Sequence, residues 1–211
     1  MQLYFSPLAC SMASRIVMYE ADARTEFTEV DPRLKRTLAG EDFLAVNPLG
    51  LVPTIRTDEG EVLTENAAIL QYIADCFPEA RLAPREGMAR SRLHQWLSFI
   101  GTELHKALFV PLFDPKMPEE VKVRILQKGD SRLRLLDQHL GGREFLLDHF
   151  SVADAYLFTV LNWHIATPVK IAKWPAVQGY YDRLKQRPSV MRALTEEHSL
   201  FAAEQARHRA A

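Results

Sequence analysis

The first thirty residues leave this chain little choice of architecture. An apolar run, Leu3-Tyr4-Phe5, stops at Ser6-Pro7. Apolar residues at helical spacing follow (Ile16, Val17, Tyr19, Ala23), and Phe27-Thr28-Glu29-Val30 is short, alternating and β-branched. Strand, helix, strand at this spacing is a βαβ unit, and its two strands should run parallel.

Cys10 and Ser11 stand where that first helix begins. The N–H groups and positive dipole end of a helix favour an anion, so a thiolate is stabilised there, whether it is the protein's own or a ligand's. A small cysteine filling space at a strand-to-helix turn is the other reading, and for Cys10 alone it stays open.

Composition narrows the function classes. With 211 residues, 47% of them apolar and 25% charged, the chain can bury a substantial core in one large or two smaller domains. A net charge of −1 without long runs of one sign argues against nucleic acid or an anionic membrane as partner. No basic segment followed by an apolar one opens the chain, and no stretch reaches the roughly 18 apolar residues of a membrane span, so a cytoplasmic protein is expected. Cys10 and Cys76 are too far apart for a C-x-x-C motif and suggest neither a disulfide framework nor a metal site. Ala13 excludes a resolving cysteine three residues after Cys10.

Asp31 to Gly40 is polar and basic, as a surface loop would be, and Glu41 to Val46 suits a short helix ending at Asn47-Pro48. Gly50 allows a tight turn. Pro53 removes a backbone donor where the next strand should start, either as an ordinary strand opener or in a cis bond that turns the Val52 backbone toward a ligand. Thr54 to Arg56 and Glu61 to Leu63 flank Asp58-Glu59-Gly60 and read as an antiparallel hairpin. Thr64-Glu65-Asn66 opens a helix with two candidate caps, Thr64 and Asn66.

Phe77-Pro78 ends that helix, and the charged, proline-containing Glu79 to Gly87 reads as a linker. Beyond it only helical periodicity remains. Helices are expected from Met88 to about Leu112, from Pro118 to Leu140 with Gly141-Gly142 as C-cap, after Ser151-Val152-Ala153-Asp154 as a capping box, and over Pro175 to Arg187 and Ser189 to Leu194. The tail from about His198 has little apolar content and is expected to fray. The expected domains are therefore 1–78, a linker 79–87, and an all-helical 88–211.

Several segments together carry a family resemblance: Tyr4-Phe5-Ser6-Pro7 with Ala9-Cys10-Ser11, Phe43 to Pro48 with Gly50 and Val52-Pro53, Leu63-Thr64-Glu65, Glu103-Leu104-His105-Lys106, and Phe150 to Leu157. In order and spacing they resemble a cytosolic glutathione S-transferase, most closely of the bacterial beta class. The resemblance implies a thioredoxin-like α/β N-terminal domain joined to an all-α C-terminal domain, a homodimer, a cis Val52-Pro53 bond, and glutathione as co-substrate with no metal. It further implies a small hydrophobic electrophile as second substrate, or thiol-disulfide exchange through Cys10.

Glutathione needs three devices, and the residues offer them. The start of the helix at Glu65-Asn66 suits its α-carboxylate, with the Glu65 side chain for the ammonium; the backbone at Leu51-Val52-Pro53 can pair with its peptide; Lys35 can reach its glycine carboxylate. At the sulfur, the resemblance gives Cys10 a mixed disulfide with glutathione, Ser11 or the nearby backbone a part in stabilising the thiolate, and His105 and Lys106 the delivery of a cation or donor, with a satisfied core histidine as the other reading of His105. Glu103 is expected to reach the ligand ammonium across the dimer. Trp163, His164, Thr167 and Pro168 are candidates for the second-substrate pocket, with a purely structural role for Trp163 as the other reading.

The sequence departs from the family pattern in three places: Leu8 stands where Gly is usual, Asn66 where Ser or Gly is usual, and Ser14-Arg15 where Pro-His is common. Leu8 and Asn66 keep a second function open, a binding or interaction module on the same scaffold without turnover.

Overall fold

The structure is a computed structural model that describes residues 1–210; the last position of the expected 88–211 domain lies outside them. The chain forms two compact units. One comprises Met1–Leu82 together with the last helix from Pro188 onward; the other runs from Ala83 to Arg187.

The first unit holds a five-stranded mixed sheet, in the order β3-β2-β1-β4-β5. β1 (Gln2–Phe5) pairs parallel with β2 (Glu26–Asp31), with Leu3 beside Phe27 and Tyr4 beside Thr28. Between them lies α1 (Met12–Glu20), completing the expected βαβ unit. β4 (Thr54–Arg56) runs antiparallel to β1, and β5 (Val62–Thr64) antiparallel to β4, as the Asp58-Glu59-Gly60 turn implies.

Alternation along the strands sorts side chains between two faces. Tyr4, Val30 and Phe43 form a buried cluster on one face, with Val46 and Val52 against it. Leu3 and Ile55, registered side by side, point the other way, where α1 and α2 (Asn66–Cys76) supply Ile16, Val17, Ile69, Leu70 and Ile73, all fully buried.

Two segments differ from expectation. The polar stretch after Asp31 contains a two-residue strand, β3 (Arg36–Thr37), antiparallel to β2. The Asp31 carboxylate accepts from the N–H groups of Arg33 and Leu34, at 2.8 and 2.9 Å, and so folds the chain back onto β2 without any apolar signal. At the other end, α8 (Pro188–Ala210) is one continuous helix packed on α1, and it belongs to the first unit. The tail expected to fray is helical, because its buried positions past Leu194 are charged ones: Glu197 and Glu204 are buried, Arg207 pairs with Glu29, and His208 Nε2 lies 2.9 Å from Asp31.

The second unit is helical. α3 (Gly87–Phe99) runs without a break into a π-helical stretch, Ile100–Phe109, and a last turn, α4 (Val110–Leu112). α5 (Glu119–Leu140) and the wholly buried α6 (Val152–Asn162) pack against it, and α7 (Pro175–Lys185) packs on α5 and α6. The Ser151–Asp154 box caps α6: the Asp154 carboxylate accepts from Ser151 N–H and Oγ at 2.9 and 2.8 Å, from Leu146 N–H at 2.9 Å, and from the Tyr180 hydroxyl at 2.9 Å. Burial pushes the Asp154 carboxyl up from its ordinary value, and these donors oppose the shift.

Candidate functional site

In the first unit the site is built on the turn between β1 and α1. Ser6 carbonyl accepts from Ala9 N–H and Ala9 carbonyl from Met12 N–H, both at 3.1 Å, so the chain reverses tightly before the helix. Leu8 occupies the left-handed region of this turn at φ +60, where a side chain costs about 1 kcal/mol. Its N–H is held by the Glu197 carboxylate at 2.7 Å. Cys10, half-buried and in no disulfide, stands one residue before the helix N-cap, Ser11.

Cys10 touches two of the expected binding segments. Its thiol donates to the Val52 carbonyl at 3.3 Å, and its own carbonyl accepts from the Asn66 amide at 3.0 Å. The Val52-Pro53 bond is cis. Leu51 is exposed but its carbonyl is committed, accepting from Asn47 Nδ2 at 2.9 Å and the Thr54 hydroxyl at 3.0 Å; Pro53 is buried. The Val52 N–H has no partner among the described residues, which leaves an open donor on the residue whose carbonyl accepts from the Cys10 thiol.

Lys35 lies in a left-handed turn and its ammonium donates to the Gly50 carbonyl at 2.9 Å. The fit needs glycine: a Cβ at Gly50 would lie 2.9 Å from Lys35 Cδ, and φ there is +60. Glu65 is the exposed N-cap of α2 with φ +67, and neither Thr64 nor Asn66 caps that helix with its side chain. Two sequence expectations are corrected. Ser11 is fully buried and its hydroxyl is spent on the Ser6 backbone, donating to the carbonyl at 3.2 Å and accepting from the N–H at 3.3 Å, so it closes the turn and does not face a ligand sulfur. The Asn66 side chain faces inward, to the Cys10 carbonyl and the Ser14 hydroxyl; what α2 offers a ligand anion is the backbone N–H of Asn66 and Ala67, unpartnered among the described residues.

In the second unit the expected residues lie along the π-helical stretch, a wide coil that often marks functional segments. The Glu103 carboxylate is held by Arg132 Nε at 2.6 Å. His105 is buried, its Nδ1 lies 2.7 Å from the Tyr156 hydroxyl, and its ring meets those of Tyr156 and Trp163 edge-on at 5.9 and 4.9 Å. Burial, and after it the neighbouring Lys106 charge, bring the His105 pKa down to about 4. His105 is therefore neutral at pH 7: it offers a hydrogen bond, and only the exposed Lys106 offers a cation.

Trp163 packs edge-on against Phe109 and Phe113 as well, at 6.2 and 5.6 Å, and anchors this aromatic cluster; the Thr167 hydroxyl donates to its carbonyl. In the sequence Tyr156 stands only within the family-resembling segment Phe150 to Leu157, and nothing there marks its hydroxyl as a partner of His105. Two open clefts, one in each unit and of about 510 and 550 Å³, are lined by other residues than the sequence-predicted site residues. Among the described residues no group of three His, Cys, Asp or Glu side chains is arranged to hold a metal ion, and no helix is long and apolar enough to cross a membrane.

Comparison with known proteins places this arrangement. Residues 9–76 match the glutathione S-transferase N-terminal domain family and residues 102–188 the glutathione S-transferase C-terminal domain family. The glutathione S-transferase GstA of Escherichia coli O157:H7 is 39% identical over 199 residues, 93% of this chain and 98% of its own length. GST-4.5 of Xanthomonas campestris is 37% identical over 207 residues, 93% of this chain and 98% of its own. Among solved structures, a sphingomonad glutathione S-transferase complexed with glutathione superposes with a TM-score of 0.89 at 46% identity, covering 94% of this chain and 99% of that one. A beta-class glutathione S-transferase of Sphingomonas chungbukensis gives 0.88 at 45% identity, covering 93% and 98%. With a cysteine at the β1–α1 turn, a cis-proline segment against its sulfur, and relatives matched over nearly their whole length, the chain belongs to the glutathione S-transferase family.

Proposed function

We propose that this protein is a cytoplasmic, homodimeric glutathione transferase of the bacterial beta class. It binds glutathione through the first unit and either adds the thiolate to a small hydrophobic electrophile or exchanges it through Cys10. The observation that carries the reading is the contact of the Cys10 thiol with the carbonyl of Val52, a residue whose own N–H is open. An extended peptide adds to such a backbone edge as a short strand, and its carboxylate suits the unpartnered N–H groups at the start of α2. Glu65 supplies a carboxylate for the ligand ammonium, and Lys35, already in contact with Gly50, a cation for the distal carboxylate. Glu103 contributes toward the ammonium from a dimer partner.

The chemistry needs a thiolate, since an ordinary thiol is mostly protonated at neutral pH. In conjugation the glutathione thiolate forms a carbon–sulfur bond and the electrophile's leaving group departs with its electron pair. In exchange, the Cys10 thiolate attacks a glutathione mixed disulfide, forms Cys10–S–S–glutathione and releases the other thiolate; a second glutathione thiolate then restores Cys10 as glutathione disulfide leaves. His105, neutral and anchored by Tyr156, serves as a hydrogen-bond donor, and Lys106 as the cation.

The decisive experiment compares wild type with Cys10→Ala. Calorimetry with glutathione is expected to show binding in both, conjugation of an aromatic halide is expected to persist in the variant, and reduction of a glutathione mixed disulfide is expected to vanish. No binding by wild type at millimolar glutathione defeats the proposal and favours a non-catalytic module.

A further inference from the structure

We propose that Asn66 and Ser14 are a linked pair of positioning residues for Cys10: the Ser14 hydroxyl orients the Asn66 side-chain amide, and that amide ties the Cys10 peptide to the start of α2. The bearing of this pair on catalysis rests on the roles proposed above for Cys10 and for the α2 N–H groups.

Both positions depart from the glutathione S-transferase pattern, Asn66 where Ser or Gly is usual and Ser14 where Pro is common. Far apart in sequence, they meet in the fold. Ser14 Oγ donates to Asn66 Oδ1 at 3.3 Å, and Asn66 Nδ2 donates to the Cys10 carbonyl at 3.0 Å. Serine or glycine at 66 carries no amide and proline at 14 no hydroxyl, so this bridge needs both departures at once. Both side chains belong to buried residues.

Elementary chemistry fixes which way the amide points. A backbone carbonyl only accepts, so the NH2 end must face Cys10 and the oxygen is left for Ser14. A hydroxyl donating to that oxygen opposes the half-turn that would set oxygen against oxygen. The Cys10 carbonyl also accepts from Ala13 N–H at 3.2 Å, at the start of its own helix, whereas the Asn66 amide comes from a different one. Elsewhere α1 and α2 bury apolar side chains on this face of the sheet, Ile16, Val17, Ile69, Leu70 and Ile73. Apolar contact is non-directional and leaves two helices free to slide; a hydrogen bond is directional and stops the sliding. The bridge therefore keeps the thiol-bearing turn in register with the N–H groups of Asn66 and Ala67.

Three variants test the linkage: N66A, S14A and S14A/N66A. One readout is alkylation by iodoacetamide at pH 9, where ordinary thiols are largely ionised, with each cysteine followed by mass spectrometry. With the sulfur less firmly held against Val52, Cys10 is expected to react about fivefold faster in N66A and about threefold faster in S14A, the scale of one net hydrogen bond. The double variant is expected to match N66A, because Ser14 acts only through Asn66; independent effects would multiply to about fifteenfold. Exposed Cys76, at the end of α2, is the internal control and is expected to be unchanged throughout. The second readout is spectroscopic. Donation to a carbonyl moves its carbon resonance downfield, and cysteine labelled at the carbonyl carbon gives signals from Cys10 and Cys76 alone. In N66A the Cys10 signal is expected to move upfield while that of Cys76 stays. A wild-type Cys10 rate in N66A, single effects that multiply in the double variant, or an unmoved Cys10 carbon signal overturns the proposal. Should the variants fail to fold, hydrogen exchange of the Asn66 side-chain amide in wild type decides: slow exchange upholds the bridge, and exchange at the rate of an exposed amide overturns it. None of these readouts uses glutathione, so absence of glutathione binding counts against the proposed function and leaves the pair standing.

Discussion

A cysteine's place at a helix start is written in its neighbours, and for that reason Cys10 could be singled out before any coordinates: apolar strand, Ser6-Pro7, then helical periodicity. The orientation of a small hydroxyl is not so written. Ser11 has the same address as Cys10, yet its oxygen turns inward to close the turn on Ser6. His105 shows the same limit. The sequence places it on a helix, but whether it carries charge depends on burial and on a hydroxyl supplied from α6, 51 residues further on. A Tyr156 hydroxyl that donates to Nδ1 puts the ring proton on Nε2, leaving a neutral donor for a ligand. Nitrogen NMR of the His105 ring at pH 7 is expected to show the Nε2–H tautomer alone in wild type and a mixture in Tyr156→Phe. That variant should also lose about 1–2 kcal/mol of stability, because it strands a buried ring nitrogen. An Nδ1–H tautomer in wild type sinks the donor role.

Elements were legible wherever apolar residues recur with a single period, as in β1, α1, the β4–β5 hairpin and the capped α6. They were not where charge replaces the apolar stripe. β3 is held by an Asp31 turn, and the second half of α8 by Glu197, Arg207 and His208, each facing a charged partner on α1 or β2. Nor does periodicity reveal how close two helices come. Gly129 sits in the middle of α5, where alanine would ordinarily gain about 1 kcal/mol of helix propensity. A Cβ there would lie 2.5 Å from Cδ1 of Leu108, a buried residue of the π-helical stretch. Overpacking of this kind costs about 1–3 kcal/mol, so the clash outweighs the propensity. Gly129→Ala is therefore expected to destabilise the protein by about 1 kcal/mol in urea unfolding, and a stabilised variant would mean that α5 and Leu108 are not in this contact.

At the scale of the whole molecule, two buried groups in different units pull stability in opposite directions over one pH range. Burial raises Glu197 from 4.5 to about 7, against the opposing pull of Arg15 and the Leu8 N–H. Between those values the folded state keeps a proton that the unfolded chain has shed, so stability falls as pH rises from 4.5 to 7, by about 3 kcal/mol. His105 is lowered from 6.5 to about 4, so there the unfolded chain holds a proton the folded state refuses, and stability rises by about 3 kcal/mol between pH 4 and 6.5. In wild type the two slopes oppose each other; single variants unmask them. Relative to wild type, Glu197→Gln should gain stability as pH climbs from 4.5 to 7, while His105→Asn should lose it from 4 to 6.5. Urea unfolding read at several pH values tests both signs, and reversal of either one refutes the corresponding burial argument. Because Glu197 belongs to the unit with the sheet and His105 to the helical unit, the same data also report cooperativity. Both slopes in one transition mean that the units unfold together, and a slope confined to each of two transitions means that they unfold apart.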